Sequence, residues 1–193
     1  RLTEALSAVG YRSLWVHPRY PVVRLEREDM SLDLGGIAKG YAADRALGIL
    51  SARGVSRALV DGGGDLALGA PPPGQEGWLV SLPEGNRVRL AHSGVATSGD
   101  LHRFVMIDGV RYSHVVDPHS GLGVVDASIV TVVAPDASTA DAISSALTVM
   151  DPQSGRALAS SLEGVWAKVI GATSWTTGPY PDTDDSPNLR DPE

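Results

Sequence analysis

A chain of 193 residues with a net charge of -7 and a pI near 5.1 is long enough for one domain and too acidic for a nucleic-acid backbone partner, which favours a basic surface. It contains no cysteine, so disulfides, thiolate metal sites and thiol catalysis are excluded while the redox compartment stays open. No apolar run approaches the ~20 residues of a membrane span, and no signal peptide is visible. The chain starts in a helical pattern without an initiator methionine, which is expected of a piece of a longer protein.

Leu2 to Val9 carries the spacing of a short amphipathic helix, and "SLWV" and "VVRL" read as short strands. "IAKGYAADRALGILSARG" predicts a helix closed by Gly54. "RALVD" and "LALGA" are strands on either side of the glycine cluster "DGGGD", and "PPPG" is a hard break. "GWLVSL" and "RVRLA" form a hairpin across "PEGN". "RFVMIDGVRYSHVV" alternates around Asp108-Gly109, the signature of a two-residue type I′ turn, with Ile107 facing Val110 and Arg103 facing His114. "ASIVTVVA" predicts a central strand, "STADAISSALTVM" a helix, and "SGRALASSLEGVWAKVI" a last helix and strand. The expected fold class is α/β (α+β), mixed β-sheets with packed helices over residues 1–170. Residues 171–193, rich in Pro, Asp, Ser and Thr, are expected to fray as a tail.

Several stretches have the chemistry to meet a ligand, and each has a plainer reading. "GGIAKGY" and "DGGGD" match neither the P-loop nor the dinucleotide fingerprint. Still, Gly35 and Gly36 lie at an expected strand-to-helix junction where bare N–H groups can meet a phosphate, with Lys39 one turn in. The plainer reading is a tight turn with a solvated lysine. Asp61 and Asp65 equally suit a loop that caps its own turns, and "ATSGD" places small hydroxyls at a strand end. Asp141 and Ser145, four residues apart on one helix face, can share a hard cation such as Mg²⁺. Against that, Ser138 to Asp141 fits a capping box in which Asp141 only stabilises the helix start. His114 and Asp117 straddle a strand end and suit an acid/base pair, or an ordinary surface pair.

In order along the chain, "DLGGIAKGYAADRAL", "LVDGGGDLALGA", "VATSGD", "RYSHVVDPHSG" and "ADAISSAL" resemble the motifs of the ApbE family, the FAD:protein FMN transferases. The resemblance spans Asp33 to Leu147 and fades after Met150. It implies FAD held against the glycine segments, Mg²⁺ on the pyrophosphate, and transfer of FMN to a threonine or serine of a target protein with release of AMP. Carried over, Gly35, Gly36 and Lys39 border the pyrophosphate, and the Ala38 carbonyl, Asp141 and Ser145 hold the metal. Gly63, Gly64, Asp65, Thr97, Ser98, Gly99 and Asp100 line the flavin cleft, joined by His114 and Asp117 of the "SH..DP" pair. His114, Asp141 and Lys39 are then the catalytic candidates, with the general base open between His114 and a metal-bound carboxylate.

Ser145 stands where the family usually has a threonine, which keeps the hydroxyl. The resemblance also implies a further N-terminal portion that covers the flavin, a redox-complex subunit as target, and a periplasmic or other extracytoplasmic location. Two other readings remain: a Mg²⁺-dependent FAD pyrophosphatase, and a flavin-binding module without turnover.

Overall fold

The computed structural model describes residues 1–83, 85–99, 104–125, 128–178 and 181. Helix α1 (Leu2–Ser7) and the hairpin β1 (Leu14–Val16) with β2 (Val23–Leu25) precede a loop and then helix α2 (Ala38–Ala52). Strands β3 (Leu59–Asp61), β4 (Leu66–Leu68), β5 (Trp78–Ser81), β6 (Arg87–Leu90) and β7 (Ser93–Gly99) follow. After β8 (Phe104–Ile107), β9 (Val110–Ser113) and β10 (Ile129–Ala134) come α3 (Ala137–Val149), α4 (Pro152–Ser161), β11 (Trp166–Ile170) and β12 (Trp175–Thr176). The class is the α+β mixture expected. No helix among the described residues is long and apolar enough to cross a membrane.

The main sheet has the order β12-β11-β10-β7-β4-β3, with each described pairing antiparallel. β10 lies inside this sheet, and its alternation divides the core in two. Val130, Val132 and Ala134 face α3 and α4 with Ala96, Ala140, Leu147 and Ala159. Val133 points the other way, with Val95, Leu68 and Trp166, onto the hairpin residues Val80 and Val88. A small third cluster of Ala43, Ala67 and Ala137 lets α2, β4 and α3 approach closely.

The Asp108-Gly109 turn is the expected type I′ form. Both residues are left-handed, with φ of 50° and 79°, and Ile107 pairs with Val110. The expected pairing of Arg103 with His114 falls outside the described residues. Two expectations need correction. Gly35 and Gly36 follow a loop from 26 to 34 instead of a strand, because β2 already ends at Leu25. Order also continues past Gly171: β12 pairs Trp175 with Val169, and the Thr177 hydroxyl accepts the Ala167 N–H at 2.9 Å. Trp175 packs on the α3–α4 core, and that apolar area holds a segment whose composition predicts fraying.

Candidate functional site

The start of α2, the second turn of α3, the β3–β4 loop and the end of β7 meet at one place. What comes close to the third glycine of "GGIAKG" is α3. A Cβ on Gly40 would lie 2.1 Å from the Ala137 carbonyl oxygen and 2.8 Å from the Asp141 Cβ. At this crossing the Gly40 N–H donates to Asp141 Oδ2 at 3.0 Å, and Asp141 is 2% exposed.

The capping-box reading of Asp141 is therefore corrected. The N-cap of α3 is Asp136, whose side chain accepts the Thr139 N–H at 2.7 Å. Ser138 instead donates its N–H and hydroxyl to Asp44 of α2. Asp141 lies deeper in the helix than a capping position, turned toward α2.

Beside it is a second buried carboxylate, Asp65, 1% exposed, which accepts from Lys39 Nζ at 2.5 Å. Loss of solvation pushes the Asp65 carboxyl above its usual range; the Lys39 hydrogen bond opposes this, and the Asp141 charge adds to the rise. Two carboxylates out of water with one half-exposed lysine in contact are short of positive charge. Among the described residues no group of three or more His, Cys, Asp or Glu side chains stands together, so the further oxygen atoms here are hydroxyls and carbonyls.

The hydroxyls come from Ser98, Ser144 and Ser145. Ser98 Oγ lies 2.8 Å from Ser144 Oγ and 3.4 Å from Ser145 Oγ. Gly36 brings its loop against the same spot, where a Cβ would lie 3.3 Å from Ser145 Oγ. Thr97 points to the opposite face of the sheet, opposite Thr131 in the register and 3.4 Å from it between hydroxyls. Gly99 packs against the Ser128 carbonyl, 2.8 Å from a Cβ placed there, and Asp100 lies outside the described residues.

The "DGGGD" loop is ordered by its own hydrogen bonds. Gly64 donates to Asp61 Oδ1 at 2.7 Å, and Gly62 donates to the Asp65 carbonyl at 2.8 Å. Gly63 and Gly64 are left-handed, with φ of 79° and 96°, and open to solvent. Gly35 donates to Asp33 Oδ1 at 2.7 Å. His114 is exposed just past β9. Asp117 binds the turn that follows, accepting from His119 at 2.9 Å and Ser120 at 3.2 Å. These donors, the His119 N–H first, hold its carboxyl below the usual range.

Two cavities, of about 620 and 640 Å³, lie away from the carboxylates. One runs between Tyr112, Leu122, Met150 and Trp175, with Asp117 on its wall, and the other lies beside Asp44 and His92. Neither is lined by Lys39, Asp65 or Asp141. The candidate site is thus defined by its unbalanced charge and converging hydroxyls, which an ordinary hollow does not supply.

The model of the ApbE family matches residues 1–169. The chain belongs to the ApbE family. It is 34% identical over 191 residues to a protein of Treponema pallidum (strain Nichols) named FAD:protein FMN transferase, covering 88% of this chain and 53% of that protein. A protein of the same name from Escherichia coli (strain K12) is 32% identical over 151 residues, covering 72% of this chain and 42% of its own length. The fold superimposes on the ApbE protein of Thermotoga maritima with a TM-score of 0.77 at 34% identity, over 91% of this chain and 59% of that one. The apo Pseudomonas stutzeri flavinyl transferase ApbE gives 0.75 at 33% identity, over 91% and 56%. This ApbE-family chain spans about half the length of the curated relatives it matches.

Sequence reasoning missed three residues here: Gly40 as the crossing point, Ser144, and Asp44. The "AKG" spacing was the available signal for the first. Nothing in the sequence links Asp44 to residues 137 and 138.

Proposed function

We propose that this domain carries out Mg²⁺-dependent transfer of FMN from FAD to the hydroxyl of a threonine or serine in a target protein, with release of AMP. The observation that carries the reading is the burial of Asp65 and Asp141 next to each other, 1% and 2% exposed, against Lys39. The names of the relatives supply the substrate class.

A hard cation fits these residues, because every donor available is oxygen and two of them are buried carboxylates. Asp141, Ser145 and the Ala38 carbonyl would hold it, next to Asp65. When bound, the metal supplies positive charge against the charge that develops on the pyrophosphate oxygens.

The chain's own groups do the rest. Lys39 offers a second positive charge to the phosphates, and the loops at Gly35-Gly36 and Gly63-Gly64 allow backbone to come close to them. The acceptor hydroxyl oxygen attacks the FMN phosphorus, and a new P–O bond forms. The bond from that phosphorus to the bridging oxygen breaks, and its electron pair leaves with AMP. His114 or a site carboxylate takes the hydroxyl proton. The same reading makes the acceptor a redox-complex subunit and the place of action extracytoplasmic.

Incubation with FAD, Mg²⁺ and a candidate acceptor domain tests it, with AMP and the acceptor's intact mass as readouts. An FMN-sized gain lost with EDTA and with Asp141→Ala is expected. AMP release with no mass gain on any acceptor would make water the acceptor and the chain an FAD pyrophosphatase.

A further inference from the structure

We infer that Asp44 is a positioning residue that sets where Asp141 stands relative to Lys39 and Asp65; this rests on the metal-site reading above. A helix start leaves its first N–H groups without a carbonyl partner in the helix. In α3 the first bond within the helix is from the Ala140 N–H to the Asp136 carbonyl at 3.1 Å, and the Thr139 N–H donates to the Asp136 side chain. The two N–H groups before Thr139 go to another helix: Ala137 donates to Asp44 Oδ1 at 2.9 Å and Ser138 to Asp44 Oδ2 at 2.8 Å. The Ser138 hydroxyl adds a third bond, to Oδ2 at 2.5 Å.

Asp136 already caps α3 from the adjoining residue, and the positive end of the helix favours both carboxylates. Asp44 adds a tie between helices. Gly40 and Asp44 lie one turn apart on α2, and Ala137 and Asp141 lie one turn apart on α3. Gly40 pairs with Asp141, and Asp44 pairs with Ala137. A single contact at the crossing would leave a pivot. Two contacts one turn apart oppose both sliding and rotation of α3 on α2, so the Asp141 carboxylate, and with it Ser144 and Ser145, keeps its place.

The test measures Mn²⁺ binding to the chain by electron paramagnetic resonance without FAD. Asp44→Asn keeps the shape but turns an amide toward donor N–H groups. We expect its Mn²⁺ affinity to fall by about tenfold, the scale for losing a group that orients a metal ligand. Asp151→Asn is the control: Asp151 caps α4 through the Ser154 N–H at 3.0 Å and makes no tie to α2, so its affinity should match the unaltered chain. Equal affinity in all three, or an equal loss in both variants, overturns the role. If Asp44→Asn fails to fold, Ser138→Ala decides, since it removes only the hydroxyl arm: weaker binding supports the role and unchanged binding overturns it. Should the unaltered chain bind no Mn²⁺, the metal reading falls first and this role falls with it.

Discussion

Lys39 Nζ lies 2.5 Å from Asp65 Oδ2, joining a cation whose side chain is 48% exposed to a carboxylate that is 1% exposed. The contact places a half-exposed positive charge beside two buried carboxylates. Lys39→Met is expected to destabilise the metal-free chain by about 1–2 kcal/mol, less than the 3–5 kcal/mol for breaking a fully buried pair, because the lysine is partly solvated. Mg²⁺ should restore much of the loss. Melting temperatures with EDTA and with Mg²⁺ check this, and a loss that Mg²⁺ leaves untouched would count against the site.

Asp141→Asn separates stability from function. The amide oxygen can still accept the Gly40 N–H, while the repulsion against Asp65 disappears, so the metal-free chain should be at least as stable as before. Mg²⁺-dependent AMP release should fall by about a hundredfold or more, the scale of removing one electrostatic stabiliser. Denaturant melts and AMP assays on the same preparation give the two numbers.

Two glycines of α2 should respond with opposite sign. Gly40→Ala puts a methyl 2.1 Å from the Ala137 oxygen, so the helices must separate at a cost of about 3 kcal/mol. Gly48→Ala meets nothing within 4 Å and should stabilise by about 0.5–1 kcal/mol through helix propensity. Chemical denaturation of the pair tests whether the crossing is as tight as described.

Without metal, the raised Asp65 carboxyl gives stability an unusual pH slope. The folded chain holds the Asp65 proton to higher pH than the unfolded chain, whose carboxyl titrates near about 3.9. Above that value the folded state binds more protons, so stability falls as pH rises until the raised Asp65 value is passed. Asp117 and Asp151 have lowered values and contribute in the opposite sense, their stabilisation being lost as pH falls through their folded values. Asp65→Asn should remove the falling limb from stability–pH curves recorded in EDTA, while Asp151→Asn should leave it.

Much of this was legible in the sequence because periodicity and turn chemistry act locally. The Asp108-Gly109 hairpin, the β10 strand and the extent of α2 follow from that. β7 reads only as a strand end, because Val95 is its one branched apolar residue and the rest are Ser93, Gly94, Ala96, Thr97, Ser98 and Gly99. The reason is tertiary: a Cβ on Gly94 would lie 2.2 Å from the Ala137 nitrogen, so only small residues pass beneath α3. The same limit hid Asp44, whose partners lie 93 and 94 residues away. A local capping pattern could be read at Ser138 to Asp141 because it ignores α2, and α2 decides where Asp141 points.

The proposed function depends on a divalent cation held by Asp141, Ser145 and the Ala38 carbonyl, next to Asp65. Anomalous diffraction from crystals of the chain soaked in Mn²⁺ would locate that cation. A peak within bonding distance of Asp141, next to Asp65, is expected, with Lys39 Nζ moved off Asp65 Oδ2. A Mn²⁺ peak elsewhere, with the Lys39–Asp65 contact intact and nothing at Asp141, would contradict it.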